Sequence, residues 1–102
     1  MIIINTDYTY DITPYNGDAD AIRKAIGCKW LERVSIGHGV DLWIDEEGKL
    51  NGLPFNPLAS NLYYADEIVG RACALTADGE GNEVDLTAEQ EEWLKGKLCA
   101  SN

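Results

Sequence analysis

Apolar and polar positions alternate through the first twelve residues, MIIINTDYTYDI, most regularly from Ile4 to Tyr10. A period of two, carried by β-branched and aromatic side chains, predicts a first strand with Ile2 to Ile4 as its better buried end. Pro14, Asn16 and Gly17 then break the pattern as a loop. Ile22, Ala25 and Ile26 return at helical spacing. They predict a short helix over 18–26, with Asp18 as N-cap, Asp20 in the first turn where the helix dipole favours anions, and Gly27 at the left-handed position that closes a helix. Alternation resumes over 28–36 and 40–45, two strands joined by a tight hairpin through Gly37-His38-Gly39. In the first of these Trp30, Val34 and Ile36 share a face with Glu32. In the second Leu42 and Ile44 share one face, and Asp41, Trp43 and Asp45 share the other.

Backbone chemistry punctuates the middle of the chain. Glu46-Glu47-Gly48-Lys49 and Asn51-Gly52 are turn signals. Leu53-Pro54-Phe55 stays extended, because proline disfavours helix in the residue before it. Asn56-Pro57 places an N-cap residue before a proline at the first helical position, so a short helix follows with Leu58 and Leu62 inward, ending near Ala65. The apolar run over 67–76 predicts a strand buried on both faces, with Gly70, Ala72 and Ala74 leaving room for a helix. Residues 77–85 form a loop or a hairpin turn around Asp78-Gly79. Thr87-Ala88-Glu89-Gln90 matches a capping box, and Trp93, Leu94 and Leu98 give the last helix its apolar stripe. The pattern predicts a single α+β domain over 1–102. Its core is a mostly antiparallel sheet of four to five strands with two to three helices packed on one face.

Charge changes that picture more than composition does. Eighteen acidic residues face eight basic ones in 102 residues, a formal charge of −10. This disfavours direct contact with nucleic acid or an anionic membrane, and it suits a basic protein partner or plain solubility. Cys28, Cys73 and Cys99 are an odd number without CxxC spacing. They read as reduced apolar fillers of a cytoplasmic protein, not as a disulfide framework or zinc site. No run reaches membrane-spanning length, and no secretory leader opens the chain.

The densest carboxylate group is Asp41, Asp45, Glu46 and Glu47, with Glu32 on the neighbouring strand. Paired carboxylates can hold a divalent cation or divide acid and base roles. A solvated strand edge and turn is the plainer reading, and the sequence predicts neither catalytic residues, nor a metal, nor a cofactor. His38 is the only histidine, which rules out a multi-histidine site within the chain, and no phosphate-binding glycine motif occurs. Trp43, among its acids, is either an exposed interface anchor or packed against a helix. Candidate binding residues are therefore Glu32, Asp41, Trp43, Asp45, Asn56, Ser60 and Tyr63.

The run LWIDEEGKLNGLPFNPLASNLYY, with IVGRACAL after it and DLTAEQ later, resembles a domain of unknown function (number 3846) spread through phages, prophages and conjugative elements. The matching positions are Asp45-Glu46-Glu47-Gly48, Gly52-Leu53-Pro54, Asn56, Ala59, Ser60 and Leu62-Tyr63. The resemblance covers roughly residues 28–90 and implies a mobile-element origin, without an activity to transfer. The expected function is that of a small accessory protein acting by binding a host or element protein, as a nucleic-acid mimic or an antagonist of defence or regulation. A homodimer through an exposed edge strand is a further possibility. A second reading is a small-ligand or nucleotide binder, which needs Arg33, Lys49 and Arg71 to converge. A third is a carboxylate- or metal-dependent enzyme using Glu32, Asp41 and Asp45.

Overall fold

The computed structural model describes residues 1–100. In chain order the elements are β1 (Ile2–Ile4), β2 (Tyr10–Ile12), α1 (Ala19–Ile26), β3 (Leu31–Gly37), β4 (Val40–Asp45), α2 (Pro57–Leu62), β5 (Ala72–Ala77), β6 (Glu83–Val84) and α3 (Ala88–Ala100). The strands form one sheet in the order β2-β1-β5-β4-β3, with β6 also on β5, and every pairing is antiparallel. The architecture is the expected α+β class, with six strands in place of four to five.

The helices lie on both faces of the sheet, not on one. β5 explains this. Its Ala72 and Ala74 join a core with Ile2, Ile4, Leu42, Leu58, Leu62, Leu94 and Leu98, under α2 and α3. Its Cys73 and Leu75 join a second core with Ile22 and Ile26 of α1. A strand that is apolar at successive positions needs cover on two sides, and the run ACAL supplies apolar side chains to both.

Four boundaries differ from the sequence pattern, each for a local reason. Residues 1–12 form a hairpin, not one strand. Asp7 Oδ1 accepts from the Thr9 N–H (3.2 Å), Asn5 N–H donates to Thr9 O at 2.9 Å, and Tyr8 takes φ 67°. An aspartate turn therefore overrides the alternation. β3 starts at Leu31 and not at Cys28, because Gly27 and Cys28 both donate backward to Arg23 O (2.8 and 3.1 Å), closing α1. α2 ends at Leu62, since Tyr63 returns to extended backbone. β5 starts at Ala72, because residues 68–70 pair with the connector instead: Asn56 N–H donates to Ile68 O and Gly70 N–H to Pro54 O, at 2.8 and 2.7 Å. Gly70 serves this turn and not helix packing. Its φ is +75°, and a Cβ there would lie 2.7 Å from Leu53 Cδ1.

Residues 77–85 are a hairpin, with Ala77 opposite Glu83. Asp78 Oδ1 closes the turn by accepting from the Glu80 and Asn82 N–H groups at 2.8 and 3.0 Å. The capping box forms as expected: Thr87 N–H donates to Gln90 Oε1 and Gln90 N–H to Thr87 Oγ1. Gln90 Nε2 also reaches His38 O (3.2 Å) and Thr76 Oγ1 (3.0 Å). The His38 ring stacks on Trp93, centroids 4.8 Å apart, so α3 grips the β3–β4 hairpin tip.

Candidate functional site

The α1 face of the sheet carries a groove of about 530 Å³, walled by Tyr15, Ile22, Trp30, Leu31, Trp43 and Glu83. That size suits one amino-acid side chain or a small ligand. Strand parity builds it. Trp43 lies on the odd face of β4 with Asp41, and Arg33 sits directly opposite on β3. The hairpin register that places Glu83 opposite Ala77 turns Glu83 to the same side. Trp30 enters from the reversal after α1 and stays 56% exposed.

These side chains make a compact polar knot. The Arg33 guanidinium carbon stands 5.9 Å from the centre of the Trp43 ring, and Nη1 donates to Glu83 Oε1 at 3.3 Å. The second oxygen, Glu83 Oε2, and the indole Nε1 of Trp43 are both buried and make no hydrogen bond of ordinary length, although the indole lies near enough to act on the carboxylate. Burial pushes the Glu83 carboxyl above the usual carboxylate range. The nearby indole N–H opposes that shift, and the adjoining Asp41 carboxyl adds to it. Burial likewise raises the Tyr15 phenol, with Glu83 and Asp18 contributing. The groove is thus an aromatic slot backed by two carboxylates and covered by one guanidinium.

The candidate binding residues of the sequence do not share one surface. Trp43 walls this groove and packs against the α1 core, and Asp41 adjoins its Glu83. Glu32 and Tyr63 lie across the sheet, in a cleft of about 140 Å³ with Ile44, Lys49, Asp66 and Ile68. Asp45 lines the same cleft at the end of β4 and accepts from the Glu47 N–H at 2.8 Å. Asn56 is fully buried. Its Nδ2 donates to Ile4 O (3.1 Å) and Gly70 O (2.9 Å), and its Oδ1 accepts from the Ala59 N–H (3.0 Å). Ser60 Oγ donates to Ile68 O and accepts from the Ile68 N–H, at 3.1 and 2.8 Å. Asn56 and Ser60 therefore spend their polar atoms on their own chain.

Arg33, Lys49 and Arg71 do not converge. Arg33 covers Trp43, Lys49 pairs with Asp66 at 2.5 Å, and Arg71 donates to Ala25 O at 3.0 Å. Among the described residues no group of three or more His, Cys, Asp and Glu side chains is arranged to hold a metal ion. No described helix is long and apolar enough to cross a membrane. Cys73 is buried and its thiol is pushed up to about 12 by that burial, so it is inert at neutral pH. Sequence pattern alone missed Glu83, Arg33, Trp30 and Tyr15 as a group. The available signal was the turn at 78–82: read as a hairpin, its register places Glu83 on the Trp43 side.

The family model described as "Domain of unknown function (DUF3846)" matches residues 1–98. No curated protein and no solved structure matches the chain.

Proposed function

The chain belongs to the DUF3846 family, and from that premise we propose that it is a small accessory protein of a phage or other mobile element that acts by binding a basic protein partner. The observation that carries this reading is the groove on the α1 face, where an exposed tryptophan, a second tryptophan and two carboxylates stand together. Tryptophan and tyrosine anchors in a pocket are the usual composition of a binding hot spot, and the half-buried acids beside them suit a basic partner. The charge of −10 supports a basic partner, because long-range attraction speeds encounter and like-charged competitors are repelled. The mobile-element origin implied by the sequence resemblance fits a target in the host cell or in the element itself.

The test is capture from host lysate with the native chain and with Trp30→Ala, whose half-exposed side chain can be removed without emptying a core. The expected result is a stoichiometric basic protein, held less strongly as salt rises and lost with Trp30→Ala. Recovery of nothing above background, or of the same protein by both forms, would sink the proposal.

A further inference from the structure

We infer that the groove is a receptor for an arginine side chain of the partner, and that Arg33 is its intramolecular stand-in. The inference rests on the proposed binding function and names the chemistry of the contact. Arg33 shows what the site recognises: a guanidinium lying over an indole face with one N–H on a carboxylate oxygen. Planar guanidinium, aromatic face and carboxylate fit together in a way that an ammonium reproduces less well.

Three features mark Arg33 as displaceable. Its side chain is 52% exposed. Its single ion pair is long, at 3.3 Å, and uses only Glu83 Oε1. Charge is also left over, since Asp41 adjoins Glu83 while Arg33 makes its ion pair with Glu83 alone. The neighbouring cation on the groove wall, Arg23, is already paired with Asp20 at 3.0 Å. Glu83 Oε2 is buried beside the Trp43 indole, whose N–H favours the charged carboxylate without closing a hydrogen bond of ordinary length. A guest that enters as Arg33 swings out would uncover the carboxylate and take it from a new direction. Trp30 and Tyr15 wall the groove and would flank the aliphatic stem of the guest.

The probe is a capped Gly-Arg-Gly peptide titrated against the native chain, with tryptophan fluorescence and amide chemical shifts as readouts. Its citrulline analogue, of equal shape and no charge, is the control. The expected result is shift changes centred on Trp30, Trp43 and Glu83, no response to citrulline, and at least tenfold tighter binding by Arg33→Ala. Glu83→Gln placed in the Arg33→Ala background should abolish that gain. Equal binding by native and Arg33→Ala chains, or an equal response to citrulline, would overturn the inference. Arg33→Gln keeps the bulk of the edge-strand side chain and serves if the alanine form does not fold. The outcomes separate from those of the lysate capture: a partner retained undiminished by Glu83→Gln would leave the binding function standing and remove the arginine site.

Discussion

Asn56, fully buried, and Glu83, half-buried, show how differently two polar residues behave. Asn56 satisfies three backbone groups from three parts of the chain: β1, the turn before β5 and the first turn of α2. Asn56→Ala would leave buried donors and acceptors unpaired and should cost about 3 kcal/mol, read as a lower midpoint in urea denaturation. A loss under about 1 kcal/mol would show that the three groups find other partners. Asn56 was legible from sequence as an N-cap, but its contacts to Ile4 and Gly70 depend on tertiary placement that no local pattern encodes. Glu83 has the opposite balance. Its carboxyl is raised chiefly by burial, so the folded state holds the proton more tightly than the unfolded state. The stability this contributes is complete below the ordinary value of 4.5 and is lost as pH rises through the folded value. Glu83→Gln should remove that decline, leaving the free protein at least as stable at neutral pH by thermal melting. A residue that strains the free protein is a reasonable place to look for function.

Among the elements, those that announced themselves carry their instructions locally. α1 has its cap at Asp18, where Oδ1 accepts from the Asp20 N–H at 2.9 Å, and its left-handed stop at Gly27. α2 has Asn56-Pro57, and α3 has Thr87 with Gln90. The elements that were misplaced are those where two local signals compete. In residues 1–12 the alternation extends across Asp7, and a side-chain turn divides it. Before β5 the apolar run IVG reads as strand, yet its backbone pairs with Pro54 and Asn56. Gly70 makes that detour possible. Gly70→Ala should destabilise by about 2 kcal/mol, from a side chain forced to positive φ and into Leu53. A Leu53→Ala second change should return only the packing part of that loss. Full rescue in chemical denaturation would show that backbone conformation is not the cost.

For the whole molecule, the sequence conveyed the class of fold but not its layering, because helical periodicity says which face of a helix is apolar and not which side of a sheet it will cover. The apolar run ACAL held that answer, since a strand that is greasy on both sides implies helices on both sides. The candidate site was less legible still, as Arg33, Trp43 and Glu83 come together only through sheet register across fifty residues. One acid holds the assembly at a junction. Asp85 accepts from the Met1 ammonium and from the Tyr15 and Leu86 N–H groups, at 3.1 and 3.0 Å for the latter two. Burial alone would raise this carboxyl, but those hydrogen bonds outweigh it and hold it below the usual 3.8. Its contribution is therefore present above that ordinary value and lost as pH falls through the lowered one. Asp85→Asn should lower the melting temperature at neutral pH and narrow the gap between native and variant in acid. An unchanged gap from neutral pH down to about pH 2 would count against that role. The position of β5 has a consequence for how the chain reaches this state. The β1–β2 and β3–β4 hairpins are each built from nearby residues, but β5 is the strand that joins them, and its partners Ile2–Ile4 precede it by some seventy positions. Closing that distance is costly in chain entropy and slow. During synthesis the two hairpins must therefore wait, with their inner edges unpaired, until residues 72–77 arrive to close the sheet.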